Sequence, residues 1–164
     1  MRDATASDAD ALAEIYSHFV LNTVVTFDVG AVTAETMEVK RTTVQSAGLP
    51  FVVAVDDNDR AVGYAAMFSW RPKAAYRHTV ESSIYLSPAA TGRGLGGALM
   101  EELFQRGRTV GIRELIAVIS DDGADASVHL HHKLGFESIG HLKNVGFKFD
   151  RWVGTFLMQK SLEA

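Results

Sequence analysis

The sequence predicts a single α+β domain, with mixed α/β layers in which helices flank a mixed, twisted sheet. Three observations predict this fold class: the chain opens with helical spacing, three strand-like runs then follow one another, and strands finally alternate with helices. A chain of 164 residues fits one domain with one sizeable core. Residues 1–164 are therefore expected to form one unit.

Two helices are predicted ahead of the first long strand. Ser7 to Asp10 resembles a capping box with aspartate in place of glutamate, and apolar residues at three- and four-residue spacing continue to about Val20. The β-branched run Thr23 to Phe27 predicts a short strand or an extended connection. Thr33 can cap a second helix, which ends near Gly48.

The remaining elements come in two groups, a meander of strands and then strands alternating with helices. Apolar residues alternate or run continuously in the strands and recur at helical spacing in the helices. A turn near Asn144 to Gly146 is expected to join the last two strands. The predicted strands are Phe51–Val55, Ala61–Phe68, Thr79–Leu86, Glu114–Ile119, Phe136–Ile139 and Phe147–Met158, and the predicted helices are Leu95–Gly107 and Ala126–Leu134.

Composition excludes several classes of function. The net charge of −4 and the pI near 5.8 argue against a nucleic-acid partner, which needs a clustered basic patch. No apolar run reaches the length of about 20 residues that spans a bilayer, so no membrane partner is expected. The absence of cysteine excludes disulfides and thiolate metal ligands and is consistent with a cytoplasmic protein. The acidic turn Asp56 to Asp59 lacks the EF-hand spacing, and no metal is expected.

A glycine-rich loop lies between the strand that ends at Leu86 and the helix that begins at Leu95. Glycines let the backbone approach an anion, and the N–H groups at a helix start attract negative charge, so the loop is expected to hold phosphates. Gly92, Gly94 and Gly97 match the dinucleotide pattern G-x-G-x-x-G. A nicotinamide or flavin cofactor remains a minor alternative, because a meander precedes the loop and the turn does not follow its strand at once.

The loop Thr91-Gly92-Arg93-Gly94-Leu95-Gly96 resembles the acyl-CoA loop Gln/Arg-x-x-Gly-x-Gly/Ala of the GNAT superfamily of N-acetyltransferases, with Thr91 as a departure. The resemblance implies the GNAT-like acyl-CoA N-acyltransferase fold and acetyl-CoA as the acetyl donor. The residues that it implies for CoA binding are Ile84, Tyr85, Leu86, Gly92, Arg93, Gly94, Leu95, Gly96 and Gly97.

Four ordered blocks narrow the resemblance to the phosphinothricin and methionine sulfoximine acetyltransferase family, over Arg2 to Gln159. The blocks are Trp70–Tyr76, Thr79–Leu86, Ser127–Phe136 and Val145–Trp152. The resemblance implies acetylation of the α-amino group of a small polar amino acid or analogue, namely phosphinothricin, methionine sulfoximine or methionine sulfone. It also implies detoxification and a homodimer.

The resemblance places the general base at Glu81. Alternation along Thr79–Leu86 puts Glu81 on the face of Tyr85, and apolar neighbours could raise its pKa, although a solvated strand glutamate is the alternative. His131 matches the family's histidine, which implies that it orients Glu81 or the substrate. Backbone N–H groups of Ile84 to Leu86 could stabilise an oxyanion if this strand splays away from Glu114–Ile119.

The candidates for substrate binding are Phe27, Arg71, Lys73 and Tyr76, with a core position as the alternative for Phe27. Lys73 stands where relatives often carry a second arginine, the segment between Ser120 and Ala126 lacks the family's asparagine, and Gly154 replaces a frequent aspartate. Direct transfer is expected because no cysteine can carry the acyl group. The alternatives are an acetyltransferase for another small amine and a CoA-binding module without catalysis.

Overall fold

A computed structural model describes residues 1–162, which form one seven-stranded sheet with two helices on each face. The first pair of helices comes from the N-terminal third of the chain, and the second pair flanks the fifth strand. The elements are β1 (Arg2–Asp3), α1 (Ala9–Asn22), α2 (Ala34–Ser46), β2 (Phe51–Val55), β3 (Ala61–Ser69), β4 (Thr79–Leu86), α3 (Leu95–Thr109), β5 (Glu114–Ser120), α4 (Asp125–Lys133), β6 (Glu137–Lys148) and β7 (Arg151–Ser161).

The sheet is mixed, as predicted. Its strand order is β1-β2-β3-β4-β5-β7-β6, and β4 and β5 pair in parallel while the other neighbours are antiparallel. Alternate residues of the strands therefore enter two cores. One core contains Leu99 and Leu103 of α3, and the other contains Leu12 of α1 and Met37 of α2.

The central strand β4 contributes to both cores with the predicted alternation. Val80 and Ile84 pack into the core under α3, whereas Tyr85 packs into the core under α1 and α2. Glu81 shares the parity of Tyr85 along the strand and therefore faces the α1 and α2 side. The predicted base therefore lies on the face of the sheet opposite the core under α3, the helix that follows the glycine-rich loop.

The strands β4 and β5 separate after three residue pairs. Their parallel pairing runs from Thr79 with Glu114 to Glu81 with Ile116, while β4 continues to pair with β3 as far as Leu86. The splay on which the oxyanion hypothesis depends is therefore present. Along Ser82 to Leu86 of the described chain, the edge of β4 that faces β5 has no strand partner, so its backbone donors are available to another acceptor.

Three sequence-based expectations about local structure need correction. The N-terminal capping box lies two residues earlier than predicted. Thr5 is the N-cap, and its backbone N–H donates a hydrogen bond to the carboxylate of Asp8 rather than of Asp10. Of the two alternatives for Thr23 to Phe27, the strand is absent, and the segment is a connection with bends at Val24 to Thr26. The final hairpin turns at Phe149 and Asp150, with φ angles of 52° and 58°, and the expected turn near Asn144 is a bulge inside β6.

No helix among residues 1–162 combines the length and the apolar character that a membrane crossing requires.

Candidate active site

The glycine-rich loop leads directly into the N-terminus of α3. Gly92 and Gly94 have φ angles of 73° and 76°, a conformation that favours glycine, and a Cβ at either position would meet open space. At Gly96 the reason for glycine is packing, because a Cβ there would lie only 3.2 Å from Leu130 Cδ2 of α4. Thr91 donates a hydrogen bond from Oγ1 to the Pro88 carbonyl at 2.8 Å, which closes the turn before the loop. The loop thus presents backbone N–H groups at an uncrowded helix start.

A cavity of about 350 Å³ lies beside β4 on the α1 and α2 side of the sheet. It is open to solvent and mostly polar, and it contains three of the predicted site residues, Glu81, Phe27 and Tyr85. The ring of Phe27 lies against Gly146 of β6, where any Cβ would overlap it, so glycine at that position makes room for the ring. The lining residues are Tyr16, Val25, Thr26, Phe27, Asp28, Lys40, Phe68, Glu81, Ser83, Tyr85, Val118, Ser120 and Thr155.

Glu81 is partly buried in this cavity. Burial raises the pKa of its carboxyl group above the ordinary value, and the positive charge of Lys40 opposes the rise. A carboxylate with a raised pKa at the wall of a cavity is a candidate general base.

A hydrogen-bonded cluster forms the wall of the cavity opposite the sheet. The hydroxyl of Tyr16 donates to Asp28 Oδ2 at 2.6 Å and lies 2.8 Å from Thr26 Oγ1. Burial raises the pKa of Tyr16, and it raises the pKa of Tyr85 to about 12, so both phenols stay protonated at neutral pH. The ring of Tyr85 lies edge-on to that of Tyr16 with 5.0 Å between centroids.

Lys40 brings a positive charge to the same cavity from α2. Its ammonium nitrogen lies 4.5 Å from the centroid of the Tyr16 ring and 5.6 Å from that of Phe68. Burial lowers the pKa of Lys40, and the charges of Asp28 and Glu81 oppose that effect. The sequence carried a signal for this position, because Lys40 lies three residues after Met37 and four before Val44, on the buried stripe of α2.

A buried lysine holds the bent segment Thr26 to Asp28 in place. Lys148 of β6 is only 4% exposed, and its ammonium group donates to the Thr26 carbonyl at 2.8 Å. Burial lowers the pKa of Lys148, and the charge of Asp28 opposes the effect. The C-terminal hairpin therefore positions the segment that carries Phe27.

A narrow cavity of about 60 Å³ occupies the split between β4 and β5, and His131 lines it together with Ser82 and Ser83. His131 is 3% exposed, and its Nδ1 lies 2.8 Å from the Ser127 carbonyl, so the proton belongs on Nδ1. Burial lowers the pKa of the imidazole, which favours its neutral form. The histidine therefore faces the split and does not line the cavity that contains Glu81.

The predicted substrate residues Arg71, Lys73 and Tyr76 line a different cavity, of about 300 Å³, which continues to Val80. All three side chains are exposed, and the guanidinium of Arg71 lies 4.9 Å from the centroid of the Trp70 ring. Within residues 1–162 the structure does not bring these side chains into the cavity that contains Glu81.

The segment that lacks the family's asparagine is fixed to the C-terminal hairpin. Asp121 accepts hydrogen bonds from the Gly154 backbone N–H at 2.8 Å and from His141 Nε2 at 2.7 Å. A Cβ at residue 154 would overlap the Asp121 carboxylate, which gives the glycine there a steric reason. Among the described residues, no cluster of three or more histidine, aspartate or glutamate side chains is arranged to hold a metal.

Comparison with known proteins places this arrangement in a family. Residues 12–136 match the model of the acetyltransferase (GNAT) family. The chain belongs to this family. The match includes the split between β4 and β5, the glycine-rich loop and every described lining residue of the cavity beside β4 except Thr155 of β7.

Three relatives indicate where this GNAT acetyltransferase lies within the family. It is 41% identical over 157 residues to a phosphinothricin N-acetyltransferase from Alcaligenes faecalis, covering 96% of this chain and 79% of the relative. It is 36% identical over 163 residues to an L-methionine sulfoximine/L-methionine sulfone acetyltransferase from Pseudomonas aeruginosa, covering 99% and 94%. A GNAT phosphinothricin acetyltransferase from Sinorhizobium meliloti, solved in complex with AcCoA, superposes with a TM-score of 0.92 at 43% identity, covering 98% and 86%.

Proposed function

We propose that this enzyme transfers the acetyl group of acetyl-CoA to the α-amino group of a small polar amino acid or analogue, with phosphinothricin, methionine sulfoximine and methionine sulfone as the substrate class. The observation that carries the proposal is Glu81, a partly buried carboxylate with a raised pKa in a polar cavity beside the split of β4 and β5. Two relatives are named for substrates of this class, and the alignments cover 96% and 99% of this chain and 79% and 94% of the relatives.

Glu81 acts as the general base in this proposal, directly or through a water molecule. It takes one proton from the ammonium group, and the neutral nitrogen then bonds to the acetyl carbonyl carbon. The bond between that carbon and the CoA sulfur breaks, and the leaving thiolate takes up the second proton that the nitrogen loses, which gives the amide and the CoA thiol. Acetyl-CoA supplies the activated acetyl group. Direct transfer to the amine is favoured because the sequence has no cysteine to carry an acyl group.

The split strands supply a place for the acyl group. The cavity in the split shares Val25, Ser83, Tyr85 and Val118 with the cavity that contains Glu81, so the two spaces adjoin through the gap in the sheet. Of the backbone N–H groups of Ile84 to Leu86, those that point to the free edge of β4 rather than to β3 would stabilise negative charge on the acyl oxygen. The loop from Gly92 to Gly97 would hold the phosphates of CoA at the start of α3. His131, neutral and at the split, would orient the reacting groups.

The protein is also proposed to form a homodimer, as the family resemblance implies. The tip of the β6–β7 hairpin exposes large aromatic side chains: Trp152 is 64% exposed and Phe147 is 55% exposed, with 5.2 Å between their ring centroids. Apolar groups clustered in this way often mark an interface. Sedimentation equilibrium should give a dimer that Trp152→Arg dissociates, and a monomeric wild-type protein would refute this part of the proposal.

A panel of amines tests the reaction. Steady-state acetylation should be fastest with methionine sulfone, methionine sulfoximine or phosphinothricin, and slower with amines that lack the α-amino acid group. Faster turnover of another small amine would replace the substrate class and keep the reaction. Binding of acetyl-CoA without turnover of any amine would favour the CoA-binding module without catalysis.

A further inference from the structure

We propose that Lys40 binds the α-carboxylate of the amino-acid substrate and thereby selects amino acids over simple amines. The inference rests on the proposed function, because it assumes that the α-amine is directed to Glu81. Its basis is the position of a single cation inside the cavity that contains Glu81.

The first step is the inventory of charges in that cavity. Lys40 is the one lysine or arginine among its described lining residues, which also include the carboxylates of Glu81 and Asp28. The arginine and lysine expected from the sequence to bind an acidic group, Arg71 and Lys73, line a different cavity. Within one chain, Lys40 is therefore the cation that shares a cavity with Glu81.

The second step is the state of the Lys40 ammonium group. Within residues 1–162 it contacts the faces of the Tyr16 and Phe68 rings and has no carboxylate within ion-pair distance. Aromatic faces replace only part of the hydration that burial removes from an ammonium group. Asp28, the other carboxylate nearby, already accepts a hydrogen bond from the Tyr16 hydroxyl. The Lys40 ammonium group thus retains donors for an incoming anion.

The third step is the match to the substrate. An amino acid carries its ammonium and carboxylate groups on one carbon atom, so a site that holds the zwitterion needs an anion and a cation close together. Glu81 and Lys40 line the same cavity, and in agreement with that placement the charge of each opposes the shift that burial causes in the pKa of the other. An α-amine at Glu81 would place the α-carboxylate toward Lys40. A simple amine has no carboxylate for Lys40, so it should bind less tightly than the amino acid, and this difference in binding free energy gives the selectivity.

Binding measurements on a matched pair of ligands test the proposal. L-methionine sulfone and its decarboxylated form, 3-(methylsulfonyl)propan-1-amine, would be titrated calorimetrically into the wild-type protein and into Lys40→Met, each saturated with CoA. Methionine retains most of the packing against Tyr16 and Phe68 but removes the charge. We expect Lys40→Met to weaken methionine sulfone binding about tenfold to hundredfold, as for a lost charge-assisted contact, and to change amine binding less than about twofold. Initial rates should show the same loss as a higher KM for the amino acid.

Two further variants serve as controls. Lys40→Arg keeps the cation and should retain most of the preference for the amino acid, while Lys133→Met removes an exposed lysine outside the cavity and should change neither affinity. Lys40→Gln replaces the methionine variant if that variant does not fold. Equal losses for both ligands, or no loss for either, would overturn the proposal, as would a selective loss in Arg71→Gln in place of Lys40→Met.

The outcome for Lys40 is separable from the outcome for the proposed function. Methionine sulfone that binds in a Lys40-dependent way but is not acetylated would refute the reaction and support the carboxylate site. Wild-type protein that acetylates methionine sulfone with no dependence on Lys40 would support the reaction and refute the site. Absence of methionine sulfone binding would refute the carboxylate site and the proposed substrate class, and the amine panel would then test the reaction separately.

Discussion

Replacing Glu81 by glutamine is expected to abolish most of the acetyltransferase activity without harming the fold. Glutamine has nearly the same size and keeps a hydrogen-bonding oxygen, but it cannot accept the proton of the amine. A positioned general base contributes about a hundredfold to ten-thousandfold in rate. At about 1.4 kcal/mol per tenfold, the barrier should rise by about 3–6 kcal/mol.

The environment of Glu81 also fixes the direction of the pH dependence. Its folded-state pKa is raised by burial, so the rate should increase with pH over a range that lies above the ordinary titration of glutamate. Lys40→Met removes the positive charge that opposes this rise, so the same limb should move to higher pH. Glu81→Gln should lose the limb. The rate of CoA thiol release, followed at several pH values, gives the pH profile of the wild-type protein, Lys40→Met and Glu81→Gln.

Stability separates a catalytic role for Glu81 from a structural one. A glutamate with a raised folded-state pKa is destabilising once it ionises, and this cost appears as the pH rises through that pKa. Glu81→Gln should therefore melt at the same or a higher temperature than the wild-type protein at neutral pH. Glu101→Gln, an exposed change on α3, controls for the loss of one negative charge. Wild-type kcat/KM with an unchanged pH limb in Glu81→Gln would refute the reasoning, and so would an activity loss that merely follows unfolding.

Three other changes probe the framework of the fold and of the site. Asp8 accepts two hydrogen bonds from the Arg2 guanidinium, at 2.8 and 2.9 Å, so Asp8→Ala should cost about 2–3 kcal/mol of unfolding free energy in urea titrations. Burial raises the pKa of Asp8, but its hydrogen bonds to Arg2 and Thr5 outweigh that effect, so the pKa is lowered overall. The stabilisation by Asp8 should therefore be lost as the pH falls through the lowered pKa. A difference in unfolding free energy between wild type and Asp8→Ala that does not change with pH would contradict the argument. Lys148→Met should release the Thr26 carbonyl and raise KM for the amine by up to about tenfold, and an unchanged KM would show that the hairpin does not position the segment. Gly154→Ala should cost about 1–3 kcal/mol because the added methyl group overlaps Asp121, whereas Gly30→Ala, with open space around it, should cost little in the same titration.

Much of the fold could be predicted because local patterns and tertiary contacts agree. The strands Phe51–Val55 and Thr79–Leu86 have the predicted bounds, since alternating apolar residues pack into cores on both faces of the sheet. The hairpin turn at Phe149 and Asp150 was missed because its positive φ angles occur at residues other than glycine. Asn144, which does suggest a turn, has a φ of 54° inside a bulge of β6. Whether such a residue forms a turn or a bulge depends on the register between paired strands, which cannot be read from the sequence of one strand alone.

The candidate site likewise has features that the sequence predicts and features that depend on the tertiary structure. The sequence alone determined the strand that carries Glu81, the face of that strand, and the glycine loop at the start of α3, because residue spacing along one element sets all three. The tertiary structure decided which side chains share a cavity with Glu81. It brought Lys40 there from α2 and placed Arg71 elsewhere. The physical reason is that contacts between elements depend on how helices pack across the sheet and on where β4 and β5 separate, and no spacing within a single element records either.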